Sequence, residues 1–297
     1  MLSLLVTGSS GFVGGILQRE LASVPFDVDG QPVELRDADS VERALREIQP
    51  SSVIHLAAQT WVPRSFQDPR ETYDINFSGT LNLLLGLKAT DFRGKVLFVS
   101  SSDVYGLIDA KDLPVAEEQL PKPRSPYAVS KVAGESLCFQ WSQTERMEIL
   151  IARPFVHIGP GQDDRFVISN FAKQIVEIKK KLRSPIIHVG DLKVTRDFTD
   201  VRDVTRAYHL LLQYGVSSET YNVCSGIERS IESLLYDLLA MSGVVAEIRQ
   251  DPARLRSSEQ RRVVGSFKKV GQQTGWKPEI PLHQTLQSIL DYWEGKV

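Results

Sequence analysis

The chain has 297 residues, enough at about 150 residues per domain for one large α/β domain or two unequal lobes. Hydrophobic residues make up 42% and charged residues 24%, which supplies a core and excludes a disordered chain. The 35 basic and 37 acidic side chains leave a formal charge of −2, without the basic excess of a nucleic-acid binder. Two cysteines, Cys138 and Cys224, are too few and too far apart for a disulfide framework or a cysteine zinc site. Met1 to Gly8 carries no basic lead, and its apolar run is too short for export or a membrane span, so the expectation is a cytoplasmic protein without a membrane partner.

In chain order, Leu2 to Thr7 is an apolar run that stops at glycines, as a buried parallel strand does. Phe12 to Ser23 then has apolar residues at helical spacing. Between Ser23 and Ser40 there is room for one short strand or two fragments, with a turn signal at Asp29-Gly30. Helix Ser40–Ile48 precedes strand Ser52–Ala57, helix Glu71–Leu87 precedes strand Lys95–Ser100, and helix Ser125–Thr144 precedes strand Glu148–Arg153. This alternation predicts a doubly wound parallel sheet of Rossmann type. After Pro160-Gly161 come a helix near Phe166–Lys181, strands near Ile186–Val189, Val194–Thr199 and Thr220–Val223, and two late helices. Residues 1–160 plus about 198–225 read as a dinucleotide-binding domain, and 161–197 plus 226–297 as a smaller α/β substrate lobe.

Two motifs carry chemistry. Gly8-Ser9-Ser10-Gly11-Phe12-Val13-Gly14 leaves the first strand and opens the first helix, where backbone amides and the helix dipole suit a pyrophosphate. The second is Tyr127 and Lys131, four apart and so on one helix face. An ammonium beside a phenol favours the phenolate, so the spacing predicts a tyrosine tuned for proton exchange with a carbonyl or alcohol. Ser100-Ser101-Ser102 ends the preceding strand and brings hydroxyls to the same crevice.

On Gly8-x-x-Gly11-x-x-Gly14, His55-Leu56-Ala57-Ala58, Asn76 with Gly79-Thr80, Ser101 and Tyr127-x-x-x-Lys131, the whole chain resembles the extended short-chain dehydrogenases/reductases. Asp103-Val104-Tyr105-Gly106, Arg153-Pro154-Phe155, Arg196-Asp197-Phe198, Asp251-Pro252-Ala253-Arg254 and Gly275-Trp276-Lys277-Pro278 are similar to the branch that reduces GDP-4-keto-6-deoxy-D-mannose to GDP-D-rhamnose. The resemblance implies that Ser101, Tyr127 and Lys131 are catalytic. It implies a cofactor, NADPH ahead of NADH, held by Gly8, Ser10, Gly11, Phe12, Val13, Gly14, Glu34, Leu35, Leu56, Ala57, Ala58, Asn76, Tyr127, Lys131 and Pro154. The GDP-linked 4-keto-6-deoxyhexose would meet Asp103, His157, Val189, Arg196, Arg256 and Glu259, with no metal. The resemblance also implies a homodimer through Glu71–Leu87 and Ser125–Thr144, with Leu83, Leu87, Val132 and Leu137 compatible with the contact or with the sheet.

Departures mark the open points. No acidic residue about 20 positions after the glycine turn has a clean place in the short second unit. Glu34 stands where relatives carry Asp near the adenine, which leaves NADH against NADPH open. Gly265-Ser266 replaces Gly-Asp, and Val156 replaces an asparagine associated with the nucleotide-sugar. The rival activities are a GDP-mannose 4,6-dehydratase, a nucleotide-sugar 4-epimerase, and a silent dinucleotide-sensing protein. Related dehydratases use a glutamate where this chain has Asp103, one methylene shorter. His55 reads as a strand-end packing residue, and His188, His209 and His283 lack metal-ligand spacing.

Overall fold

The computed structural model describes residues 3–21, 23–28, 30–254 and 260–297. The elements run β1 Leu4–Thr7, α1 Phe12–Glu20, β2 Ser23–Pro25, β3 Asp27–Val28, β4 Gln31–Pro32, α2 Ala38–Ile48 and β5 Ser52–His55. Then come α3 Val62–Gln67, α4 Pro69–Tyr73, a π turn at Asp74–Ser78, α5 Gly79–Ala89, β6 Lys95–Val99, α6 Pro126–Thr144, β7 Glu148–Pro154 and β8 Val156–Ile158. The chain continues through α7 Val167–Lys179, β9 Ile186–Val189, β10 Thr195–Asp200, α8 Val201–Tyr214, β11 Thr220–Val223 and β12 Glu228–Ser230. It closes with α9 Ile231–Ser242, β13 Glu247–Gln250, α10 Lys268–Thr274 and α11 Leu282–Lys296.

Six parallel strands form the main sheet in the order β11-β7-β6-β5-β1-β2. Both faces are covered, and the strand sequences show why. Leu5, Val53, Val96, Phe98, Ile149 and Ile151 face Val41 and Leu45 of α2, Leu83 and Leu87 of α5, and Cys138 and Trp141 of α6. Their sequence neighbours Val6, Ile54, Leu97, Val99, Leu150 and Ala152 face Leu17 of α1 and Val204, Tyr208 and Leu211 of α8. A strand buried on both sides must be apolar at every position, which is the continuous run read in the sequence. The winding direction reverses at β1, and ligands of open α/β sheets bind outside the carboxyl ends of strands at such a point.

The short second unit is β2 followed by a hairpin of β3 and β4, after which the chain enters α2 directly. Two smaller sheets, β12-β10-β8 and β13-β9, stand beside the large one. Their cover is a separate apolar cluster of α7, α9 and α11, including Phe171, Ile175, Leu234, Leu238 and Ile289. β7 runs into β8 and β10 runs into α8, so the chain passes between the two assemblies repeatedly.

The structure corrects one expectation and settles two open points. The segment Glu71–Leu87 is not one regular helix, because a π turn at Asp74–Ser78 widens it where Asn76 bonds to neighbouring loops. Leu83 and Leu87 are fully buried against the sheet and unavailable to a partner, and Leu137 packs against the same cluster while Val132 packs against Tyr105 and Phe155. The sequence reading assigned no element to Val201–Tyr214, which is the helix that covers the second face.

Candidate active site

The glycine turn is built by contact. Gly8 has φ 70°, and a Cβ there would lie 2.9 Å from the Ala57 amide nitrogen. At Gly14 a Cβ would lie 2.3 Å from the Gly8 carbonyl oxygen and 2.6 Å from Ser9 Cα, so only glycine lets α1 press against the turn. Gly11 is the N-cap of α1 and offers no side-chain hydrogen bond to the first amides. Those amides have no side-chain cap, which is the arrangement a phosphate takes up. Ser10 is exposed at the turn, and Phe12 stacks on His157 with ring centroids 6.2 Å apart and planes within 2°.

Beneath the turn runs a fully determined hydrogen-bond chain. The Ala57 amide donates to Thr7 Oγ1 at 3.2 Å, and Thr7 Oγ1 lies 2.7 Å from His55 Nδ1. His55 Nε2 lies 2.9 Å from Thr80 Oγ1, which itself donates to the Asn76 carbonyl at 2.6 Å. Because the Thr80 proton is committed to Asn76, His55 donates from Nε2. Burial with the nearby Lys131 charge holds its pKa down at about 3, so the imidazole is neutral and its Nδ1 accepts from Thr7. His55 is a bridging polar residue as well as a packing one.

Asn76 sits in the π turn and ties three segments together. Its Oδ1 accepts from the Gln59 amide at 2.7 Å, and its Nδ2 donates to the Gln59 carbonyl and to Ser130 Oγ. Ser130 donates to the Tyr127 carbonyl at 2.7 Å. Neither Gln59 nor Ser130 drew notice in the sequence, where a lone Gln or Ser carries no pattern. Leu56, Ala57 and Ala58 follow β5 on this floor, and Leu35 lies against α5, its carbonyl accepting from Asn82.

Ser125 caps α6 by accepting from the Ala128 amide, and Pro126 occupies its first turn. The helix thereby starts where Tyr127 and Lys131 meet the end of β6. Lys131 Nζ donates to the Val99 carbonyl at 2.8 Å and lies 5.1 Å over the Phe98 ring. Ser101 accepts from the Asp103 amide at 3.1 Å, and its hydroxyl faces the Tyr127 phenol. The expected phenolate is not what this geometry favours. Burial pushes the Tyr127 pKa up, the Asp103 carboxylate adds to that, and the Ser101 hydroxyl only partly opposes them. The Lys131 ammonium donates one of its hydrogens to Val99, and burial lowers its own pKa to about 8. Tyr127 is thus held as a phenol, the form that donates a proton.

Across the crevice, Pro154 ends β7 and Val156 opens β8 with its side chain partly exposed. Burial lowers the pKa of His157, whose Nδ1 lies 3.0 Å from the Phe155 carbonyl. Val189 ends β9, paired with Gln250 of β13, and Arg196 lies on β10, donating to the Thr195 carbonyl. Arg256 and Glu259 lie outside the described residues. Glu34 binds Arg36 through both carboxylate oxygens, at 3.0 and 2.7 Å, which lowers its pKa and occupies it. Asp27 follows β2, which ends at Pro25 paired with Val6, and lies in the β3–β4 hairpin about 20 residues after Gly8.

Among the described residues, no group of three or more His, Cys, Asp or Glu side chains could hold a metal. None of their helices is long and apolar enough to cross a membrane.

Comparison with known proteins gives a consistent set of relatives. The family described as GDP-mannose 4,6 dehydratase matches residues 31–289. The GDP-6-deoxy-D-mannose reductase of Pseudomonas aeruginosa is 51% identical over 99% of this chain and 98% of its own length. The structure of RMD from Pseudomonas aeruginosa complexed with NADPH superposes with a TM-score of 0.95 at 49% identity, covering 100% of both chains. A GDP-6-deoxy-D-talose 4-dehydrogenase from Aggregatibacter actinomycetemcomitans is 31% identical over 91% of this chain and 90% of its own.

Proposed function

The chain belongs to the GDP-mannose 4,6-dehydratase family of extended short-chain dehydrogenases/reductases, and within it we propose that the protein reduces the C4 keto group of GDP-4-keto-6-deoxy-D-mannose to give GDP-D-rhamnose. The observation that carries this reading is the meeting of Ser101, Tyr127 and Lys131 at the end of β6 opposite an uncapped glycine turn. NADPH is the cofactor of the reading, with NADH second. Its pyrophosphate fits the turn because Gly8, Gly11 and Gly14 leave backbone where a Cβ would intrude. When bound, the dinucleotide supplies the hydride.

The chain's own residues do the rest. Ser101 hydrogen-bonds the reacting oxygen, and Tyr127, kept protonated by burial, delivers the proton as that oxygen becomes an alcohol. Lys131 contributes positive charge and holds the nicotinamide ribose. Ser10, Phe12 and Val13 line the pyrophosphate turn, while Leu35, Leu56, Ala57, Ala58, Asn76 and Pro154 bound the cofactor. Glu34 would have to release Arg36 to reach the adenine. We take Asp27, about 20 residues after Gly8, as the acid for the ribose hydroxyls, which keeps NADH usable.

Arg196, His157, Val189 and Asp103 form the sugar-nucleotide side, with Arg256 and Glu259 from the segment after Arg254. Arginine is suited to this because its planar fork bonds phosphate oxygens in pairs. Val156 offers no donor, so diphosphate binding rests on the arginines. Asp103 in place of a dehydratase glutamate favours reduction over dehydration. We read residues 1–160 plus about 198–225 as the dinucleotide-binding domain and the remainder as the sugar-nucleotide lobe. A homodimer in the cytoplasm completes the proposal, formed through the outward faces of α5 and α6, where Leu85, Val129 and Phe139 are exposed.

The test is conversion. With NADPH the protein should consume GDP-4-keto-6-deoxy-D-mannose and leave GDP-mannose untouched. Formation of the 4-keto sugar from GDP-mannose would make it a dehydratase.

A further inference from the structure

The stripe of α6 that carries Tyr127 and Lys131 continues one turn further, to Glu135. All three side chains engage the end of β6. Tyr127 meets Ser101, Lys131 meets the Val99 carbonyl, and Glu135 Oε1 accepts from Ser100 Oγ at 2.5 Å. Glu135 is in turn gripped from β7 by Arg153, whose Nε and Nη2 donate to its two oxygens at 2.8 and 2.6 Å. The pair is buried, with side-chain exposures of 7% and 8%. Arg153 also lies 4.8 Å over the Tyr105 ring, and the Tyr105 hydroxyl donates to Asn222 Oδ1 of β11 at 2.7 Å. α6, β6, β7 and β11 are thus locked together by one polar network under the site.

A buried ion pair is an expensive way to fill a core, since apolar residues of equal volume commonly serve stability as well or better. What it offers here is geometry. Ser100 is the residue before Ser101, and Glu135 is one helical turn from Lys131. We propose that Glu135, held by Arg153, is a positioning residue for the reductase: it sets the height of Ser101 and Lys131 against Tyr127 without touching cofactor or sugar. The proposal rests on the reductase reading above.

Glu135 also carries the negative charge nearest Lys131 on α6, where Cys138 is the other facing group. Asp103 and Tyr208 of α8 face the phenol, and His55 of β5 faces the ammonium. Arg153 and Tyr105 face Glu135, with the Glu117 carbonyl at 3.5 Å from Arg153 Nη1. Replacing Glu135 by neutral glutamine leaves Arg153 uncompensated. Positive charge then favours deprotonation of both Lys131 and Tyr127.

The experiment compares wild type, Glu135→Gln and Ser100→Ala for kcat, both KM values, NADPH Kd and melting temperature across pH. Displacement of a reacting group by a fraction of an ångström should lower kcat about tenfold or more in Glu135→Gln and severalfold in Ser100→Ala, with KM values near wild type. In Glu135→Gln the alkaline limb of kcat and the alkaline midpoint of NADPH binding should both move to lower pH, by about 0.5–1 unit. In Ser100→Ala neither should move. A folded Glu135→Gln with an unmoved limb, or with wild-type kcat, overturns the proposal. If Glu135→Gln does not fold, wild-type kcat in Ser100→Ala overturns it. NADPH binding needs no sugar, so the positioning claim remains decidable if wild type fails to reduce the GDP-sugar, a result that would sink only the reductase reading.

Discussion

Adjacent glycines in α1 make opposite predictions for the same substitution. Gly14→Ala would place a Cβ 2.3 Å from the Gly8 carbonyl oxygen and 2.6 Å from Ser9 Cα, about 1 Å inside ordinary contact. Both neighbours are backbone atoms of the turn, so no rotamer can give way and α1 must move off the loop. Overpacking of this kind costs about 1–3 kcal/mol, or roughly 2–6 °C in Tm for a chain of this size. The same shift withdraws amides from a bound diphosphate. Hydrogen bonds to charged groups are worth about 1.5–3 kcal/mol each, so NADPH Kd should rise about 10–100-fold. At Gly15 a Cβ would meet only Arg19 Nη1, at 3.7 Å. Gly15→Ala should therefore leave NADPH binding unchanged and stabilise the helix by about 0.5–1 kcal/mol. Fluorescence titration with NADPH and thermal melts of both variants provide the assay. Wild-type affinity in Gly14→Ala, or equal damage in the two variants, would refute the close-packing argument.

Three further outcomes follow from the site. Tyr127→Phe removes the proton donor and should lower kcat about 10²–10⁴-fold with little change in NADPH Kd; near-normal turnover would end its assignment as the acid. His55 has a folded pKa of about 3 against an ordinary 6.5, so the unfolded chain takes up a proton first as pH falls, and stability drops from pH 6.5 downward. That amounts to about 2 kcal/mol by pH 5, and His55→Gln should flatten this part of a Tm-against-pH curve, whereas an unchanged slope would place the titration elsewhere. Asp27→Ser should raise the preference for NADPH over NADH about tenfold by removing a carboxylate from the ribose position, and an unchanged ratio of kcat/KM values would take Asp27 out of cofactor selection.

The repeating strands and helices of the large sheet were legible because strands buried on both faces have uninterrupted apolar sequences and end at polar or glycine turns. Gly14 and the Tyr127–Lys131 pair were legible because each acts within one local element, at fixed spacing. What was hidden depends on contacts distant in sequence. The π turn at Asp74–Ser78 has no compositional mark, since it reflects where Asn76 finds Gln59 and Ser130. Asp27 was hidden because β2 ends at Pro25 and the acid falls in the short β3–β4 hairpin after it, which composition does not mark as a strand end. The expected phenolate failed for a related reason: spacing brings a lysine to the face of a tyrosine, but only the fold shows that the lysine donates to Val99 and that burial governs the phenol. Leu83 and Leu87 fit a partner or a sheet equally well by periodicity, and only packing assigned them to the sheet.

The most direct test follows one hydrogen atom. Supplied with NADPH carrying deuterium at the nicotinamide C4, and with GDP-4-keto-6-deoxy-D-mannose, the protein should place the label on C4 of the sugar. Proton NMR of the product should show GDP-D-rhamnose lacking its H4 signal. A product labelled elsewhere, or no loss of the keto sugar while NADPH stays bound, would contradict the reductase account, and a C4 epimer would contradict GDP-D-rhamnose as its product.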